Sequence, residues 1–228
     1  METGNELIVW NRSLEKISDL KGVTVASNPA EVASSADIII SILANDNATQ
    51  AAYFDEGGLT SISLHGKLII EICTTSPERA VELENSVKEK GGQFVEAPVG
   101  GTVKPAREGT LLGLVAGDRD AFDRAEPILE QLTRRIEYLG DTGAAAAMKL
   151  AINLPLMVYW GALGEAVAMA TKKDIPAEQA MSILVDSSGA IGAAKVRCQP
   201  ILEMIQEGQS AASNLSLIHI SEPTRPNE

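Results

Sequence analysis

Lys149 and Asn153 stand four residues apart in the run "GAAAAMKLAIN", which is otherwise alanine and aliphatic. On a helix that spacing puts both on one face. An amine beside a carboxamide can hold a small polar molecule, and the amine can give or take a proton. A lysine amine ordinarily titrates near ~10.4, so proton exchange near neutrality requires partial desolvation of its charged form. The other reading is that the stem covers apolar surface while the ammonium reaches water. Residue type alone leaves both open.

A second group of residues follows short apolar runs. Asn11, Arg12 and Ser13 come after "LIVW", Leu43, Ala44 and Asn45 after "IIISI", Thr74 and Thr75 after "IIEIC", and Gly100, Gly101 and Thr102 after "EAPV". Ligands of open parallel sheets bind outside the carboxyl ends of the strands, where these residues would lie. The glycines would expose backbone N–H groups to an anion. Small polar residues also follow strands because turns favour them, so the weight falls on four sets occurring in order.

The elements that must position these residues alternate in the first half of the chain. Strand-like runs "NELIVWN", "VTVAS", "DIIISIL", "KLIIEIC", "GQFVEAPV" and "TLLGLVAG" are separated by helix-compatible stretches. Those stretches are "SLEKISDLKG", "NPAEVASSA", "NATQAAYF", "SPERAVELENSVKEKG" and "DRDAFDRAEPILEQLTR". Continuous apolar strands between amphipathic helices predict βαβ units and a parallel sheet covered on both faces. In "SPERAVELENSVKEKGG", Ser76 can cap, Pro77 suits the first helical position and Gly91 can end the helix.

After "RRIEYLGDTG" the pattern becomes wholly helical. One long apolar helix is expected from about Gly143 to Lys172, then a second over "DIPAEQAMSILVDSS", then a third over "AAKVRCQPILEMIQEG" that bends or restarts at Pro200. The expected organisation is an α/β domain over 1–140, an all-α domain over 141–214 led by a long inter-domain helix, and a tail over 215–228.

Composition narrows the function classes. A hydrophobic fraction of 45% over 228 residues allows a real core. A formal net charge of -12 argues against a nucleic-acid partner, which needs clustered Lys and Arg. Cys73 and Cys198, with His65 and His219, form no metal-binding spacing, so no metal is expected. Two cysteines fit a reducing cytoplasm. The apolar runs are too short or carry charge, so no membrane span is expected, and no basic segment leads into an apolar one at the N-terminus as in a signal peptide.

The ordered pieces "VWNRS", "SILA", "EICTTSPE", "FVEAPVGGTVKPAREGTL" and "GDTGAAAAMKLAIN" together resemble the β-hydroxyacid dehydrogenases, the family of 3-hydroxyisobutyrate dehydrogenase, from about Gly4 to about Gly208. The resemblance implies a Rossmann-type domain that binds a nicotinamide dinucleotide. It implies that Lys149 is the catalytic acid/base, that Asn153 hydrogen-bonds substrate, and that Gly100 and Gly101, with Thr102, hold a substrate carboxylate. Asn11, Arg12, Ser13, Leu43, Ala44, Asn45 and Thr74 would contact the cofactor. Arg12 suits a 2′-phosphate, which makes NADP(H) the preferred cofactor and NAD(H) the alternative. The expected reaction is hydride transfer between nicotinamide and a small 3-hydroxy acid or its oxo partner, in a homo-oligomer.

Departures from the family pattern are part of the expectation. The family loop usually has serine at the place of Gly100 and glycine at that of Thr102, which leaves the substrate open. "METGNELIVWNR" resembles the end of a first helix and a second strand, so the first βα unit and its glycine-rich phosphate turn are expected to be missing. "LSLIHISEPTRPNE" resembles a translated sequencing adapter, and His219 and Arg225 within it are assigned no function. A non-catalytic fragment or binding module, and an imine reductase, are the competing readings.

Overall fold

The computed structural model describes residues 6–194 and 198. In chain order the elements are β1 (Ile8–Val9), β2 (Thr24–Val25), α1 (Pro29–Ser35), β3 (Ile38–Ser41), α2 (Asp46–Tyr53), β4 (Leu68–Glu71), α3 (Pro77–Glu89) and β5 (Gln93–Glu96). They continue with β6 (Val99–Gly100), α4 (Val103–Glu108), β7 (Leu111–Gly117), α5 (Arg119–Leu129), β8 (Thr133–Tyr138), α6 (Ala144–Thr171) and α7 (Ala177–Asp186). Contacts divide the chain into two units, 1–150 and 151–228, so the division falls inside α6.

The first unit is the expected α/β layer. β3, β4 and β5 pair in parallel, and β7 pairs in parallel with β8. Along β4 the side chains alternate: Ile69 joins a cluster with Tyr53, Leu64, Leu83, Val87 and Phe94, while Leu68 and Ile70 join one with Val95, Val115, Phe122 and Leu129. That period of two is why the strand reads as continuously apolar, since both faces of the sheet are covered. Each such side chain contributes roughly 1.5–3 kcal/mol by leaving water.

Three expectations need correction here. The sheet is mixed rather than wholly parallel: β7 runs antiparallel to both β5 and β6. An apolar run reports burial, not strand polarity. Among the described residues, β1 and β2 pair only with each other, as a separate two-stranded parallel sheet. "SLEKISDLKG" forms only a 3-10 turn at Leu14–Lys16, without a side-chain cap at Ser13. Ile17 is buried, but Leu14 and Leu20 are 61% and 50% exposed, so the apolar face buried is too small to stabilise a short helix.

Where local signals agree, the helices form as expected. Ser76 Oγ accepts from Arg79 N at 3.2 Å, with Pro77 at the first helical position, and Gly91 follows α3 at φ +82°. Asn28 Oδ1 accepts from Glu31 N at 2.9 Å, while the Glu31 carboxylate accepts from Ser27 N at 2.7 Å, a reciprocal cap on α1.

In the second unit, Leu163 is buried among Tyr159, Trp160, Met181, Leu184 and Val185, joining α6 to α7. α6 is 28 residues long with Pro155 inside it. By length and composition it is long and apolar enough to cross a membrane, so for this run the expectation of no span does not rest on length. The case against a span then rests on the charges within it, Lys149 and Glu165. The expected third helix with Pro200 and the tail over 215–228 lie outside the described residues apart from 192–194 and 198.

Candidate functional site

Lys149 and Asn153 both lie on α6, and both are buried, at 8% and 9% exposure. Four residues of helix carry the chain about one turn, so the two side chains leave the same face. Lys149 is engaged by the surrounding protein. Asn153 Nδ2 is buried and has no hydrogen-bond partner among the described residues. A buried amide donor without an acceptor costs about 1–3 kcal/mol, which an accepting ligand would recover.

The start of α6 is held by a residue that local reading of the sequence did not single out. Glu96, at the end of β5, is 1% exposed, and its Oε1 accepts from Gly143 N at 2.6 Å and Ala145 N at 2.9 Å. These amides are among the first of the helix, which have no partners within it. Burial pushes the Glu96 carboxyl above the usual carboxylate range, and the helix amides oppose that shift. The strand running into the Gly100–Thr102 segment is thus fastened to the start of the lysine helix. Gly143 takes φ +103° against Pro77, and Glu96 Oε2 is buried without a partner among the described residues.

Gly100 ends β6, Gly101 follows it, and Thr102 stands at the N-terminus of α4, with Gly101 and Thr102 exposed. Gly101 takes φ +138°, a backbone that L side chains rarely adopt, whereas Gly100 does not need glycine for its conformation. The segment therefore runs through an exposed turn that only glycine makes easily.

The expected cofactor residues lie in loops after β1, β3 and β4. Asn11 Oδ1 accepts from Ser13 N at 2.9 Å, a local turn that leaves Arg12 exposed at its tip. Asn45 has an evident structural role as the cap of α2, its Oδ1 accepting from Ala48 N at 3.0 Å. Ala44 is exposed and Leu43 half-buried, while Thr74 is half-buried and Thr75 buried with an unpartnered Oγ1. The loops after β3 and β4 are tied by Leu43 N donating to Cys73 Sγ at 2.8 Å.

Beneath those two loops is a buried polar cluster not foreseen from spacing. Tyr53 Oη donates to Glu71 Oε2 at 2.5 Å, and Cys73 N donates to Glu71 Oε1 at 3.1 Å. Burial raises the Glu71 carboxyl, the Tyr53 phenol and the Cys73 thiol above their ordinary values. The thiol is therefore held protonated and acts as a hydrogen-bonding group, not a nucleophile.

A family model described as the NAD binding domain of 6-phosphogluconate dehydrogenase matches residues 1–140. Glyoxylate/succinic semialdehyde reductase 1 of Arabidopsis thaliana is 34% identical over 186 residues, covering 81% of this chain and 64% of that protein. The cytokine-like nuclear factor N-PAC of Anopheles gambiae is 29% identical over 186 residues, covering 81% of this chain and 33% of that protein. Among solved structures, Mycobacterium tuberculosis 3-hydroxyisobutyrate dehydrogenase with L-serine matches at a TM-score of 0.69 and 27% identity, covering 83% of this chain and 65% of that one. The chain thus spans less than two thirds of the length of these relatives. It has the α/β fold of a Rossmann-like nucleotide-binding sheet followed by helices, and it belongs to the family of the 6-phosphogluconate dehydrogenase NAD-binding domain, alongside β-hydroxyacid dehydrogenase relatives.

Proposed function

We propose that the complete protein is an NAD(P)-dependent oxidoreductase that moves hydride between nicotinamide and a small 3-hydroxy acid or its aldehyde or oxo partner. The observation that carries this reading is the pair on α6: a buried lysine with, one turn away, a buried asparagine amide left without an acceptor among the described residues. The bound nicotinamide supplies or accepts the hydride. In oxidation, neutral Lys149 takes the hydroxyl proton; in reduction, its ammonium returns one. Asn153 Nδ2 donates to the substrate oxygen beside it, and the backbone of Gly100, Gly101 and Thr102 receives the carboxylate.

The residues present fit a dinucleotide phosphate. Arg12 is exposed at the tip of a side-chain-fixed turn, with Ser13 next to it, which suits charge-assisted bonds to a 2′-phosphate. NADP(H) is therefore preferred, with NAD(H) served by the same Arg12 stacking on adenine. Leu43, Ala44, Asn45 and Thr74 supply loop surface to the cofactor. Apolar residues left exposed on α6, Leu154 at 62%, Val158 at 64% and Met169 at 73%, support a homo-oligomer. The net charge of -12 supports a small-molecule partner over nucleic acid. We place the protein in the cytoplasm, in keeping with its free thiols Cys73 and Cys198.

A second reading, a binding module without turnover, is favoured by the likeness to a nuclear factor at 29% identity. One experiment separates them: small hydroxy acids and aldehydes are assayed with NADP(H) and NAD(H) on the polypeptide restored to the length of its relatives. Turnover of a three- to four-carbon acid supports the enzyme, whereas cofactor binding without turnover across the panel supports the module.

A further inference from the structure

The first turn of α6 has little to grip with. From Gly143 to Ala147 no side chain is longer than a methyl group, and Ala145 and Ala146 are buried. Alanines let a helix lie close to its neighbours, but methyl groups interdigitate too shallowly to fix how far the helix slides or turns. A slip of one residue moves a helix about 1.5 Å along its axis and swings each side chain by roughly 100°. Lys149, two residues beyond the run, would swing with it. Thr142 does not cap the helix from its own chain, since its buried Oγ1 has no partner among the described residues.

Directional bonds supply what packing does not. Glu96 Oε1 accepts from Gly143 N at 2.6 Å and from Ala145 N at 2.9 Å. Two amides converging on one oxygen fix both the axial position and the rotation of the first turn, because a slip of one residue breaks both bonds. Gly143 delivers the first amide from a backbone at φ +103°. A Cβ there would meet Pro77 Cβ at an ordinary 3.5 Å, so the backbone conformation, not space, requires glycine. The acceptor stands on the firm part of the sheet: Glu96 ends β5, which pairs with β4 on one side and β7 on the other, and Ala97 N donates to Glu71 O at 2.7 Å. Gly100 follows four residues later in the chain.

We propose that Glu96 is a positioning residue for the reaction. By holding Gly143 N and Ala145 N it sets the register of α6, and so where the Lys149 amine stands relative to the Gly100–Thr102 segment. The inference rests on the acid/base role of Lys149 put forward above. Glu96 itself touches neither substrate nor cofactor; it acts through the lysine. What the role needs is one oxygen that accepts twice at this reach. An amide oxygen on a side chain of the same length meets that need, and an apolar side chain of the same length does not. A misplacement of about 1 Å is enough to cost a reaction on the order of 100-fold.

Glu96→Gln and Glu96→Met test this, the first keeping the acceptor and the second only the size. In a polypeptide of its relatives' length, assayed well below the Tm of each variant, Glu96→Met should lower kcat by about 10- to 100-fold with cofactor Kd unchanged within about twofold. Glu96→Gln should restore kcat to within about threefold of wild type. On a Lys149→Ala background Glu96→Met should lower kcat no further, because nothing is left to position. Amide exchange on the 228-residue chain gives a readout without turnover. The Gly143 and Ala145 amides should exchange about tenfold or more faster in Glu96→Met than in wild type or Glu96→Gln, with the β4 amides as slow as before. Gly143→Ala, which strains the φ that delivers one amide, should lower kcat in the same way if Glu96→Met does not fold. Wild-type kcat in Glu96→Met while Lys149→Ala is inactive overturns this proposal alone, as does a Glu96→Met loss that persists undiminished on the Lys149→Ala background. Wild-type turnover in Lys149→Ala overturns the acid/base reading, and this proposal with it.

Discussion

Two buried glutamates show how single residues shape the candidate site. Glu96 Oε1 faces two helix amides, and the Glu71 carboxyl faces a phenol and one amide, donors that have few other choices. Glu96→Ala should destabilise the fold by about 1–3 kcal/mol in urea unfolding, because Gly143 N and Ala145 N lose their acceptor; Glu96→Gln, which keeps an oxygen there, should cost less. Glu71 gives a pH prediction. Burial raises its carboxyl from 4.5, so the native state keeps a proton that the unfolded chain has released. Its contribution to stability is therefore full below the ordinary value and declines as pH rises through the window up to the raised one. The Tm of the wild type minus that of Glu71→Gln should fall as pH rises above the ordinary carboxylate value, and a flat difference would refute the assignment. Neither glutamate was legible in the sequence, because the partners lie 47 residues away for Glu96 to Gly143 and 18 for Glu71 to Tyr53. Local spacing carries no information about contacts made across strands. Lys149 and Asn153 were legible because one helix holds both.

At the scale of elements, the βα alternation and the long helix could be read from pattern, since each buries a face with its own period. β8 (Thr133–Tyr138) could not: "TRRIEY" exposes two arginines and resembles the end of a helix more than a strand. The antiparallel β7 was hidden for a different reason, its direction being set by pairing with β5 and β6. Within the Gly100–Thr102 segment the two glycines differ, which yields a paired prediction. Gly100→Ser should fold normally, within about 0.5 kcal/mol of wild type, because a Cβ there meets Leu112 Cβ at an ordinary 3.4 Å. Gly101→Ala should lose about 1–2 kcal/mol, its φ of +138° being strained for any L side chain. Thermal unfolding of the two variants measures the contrast; equal losses would show that the native turn at Gly101 does not hold this positive φ.

For the molecule as a whole, contacts divide the chain into two units within α6. The first holds Glu96, the loops after β1, β3 and β4, and Lys149; the second begins within the same helix, at Ala151, and holds Asn153. Lys149 and Asn153 are nevertheless carried by one helix, α6. The acid/base role of its lysine is open to a single comparison: steady-state turnover and cofactor Kd for Lys149→Ala, in a polypeptide of its relatives' length. A proton-transferring Lys149 requires kcat to fall by about 10²–10⁴-fold with cofactor Kd unchanged within about twofold. Turnover equal to wild type in that variant would remove the lysine from the chemistry.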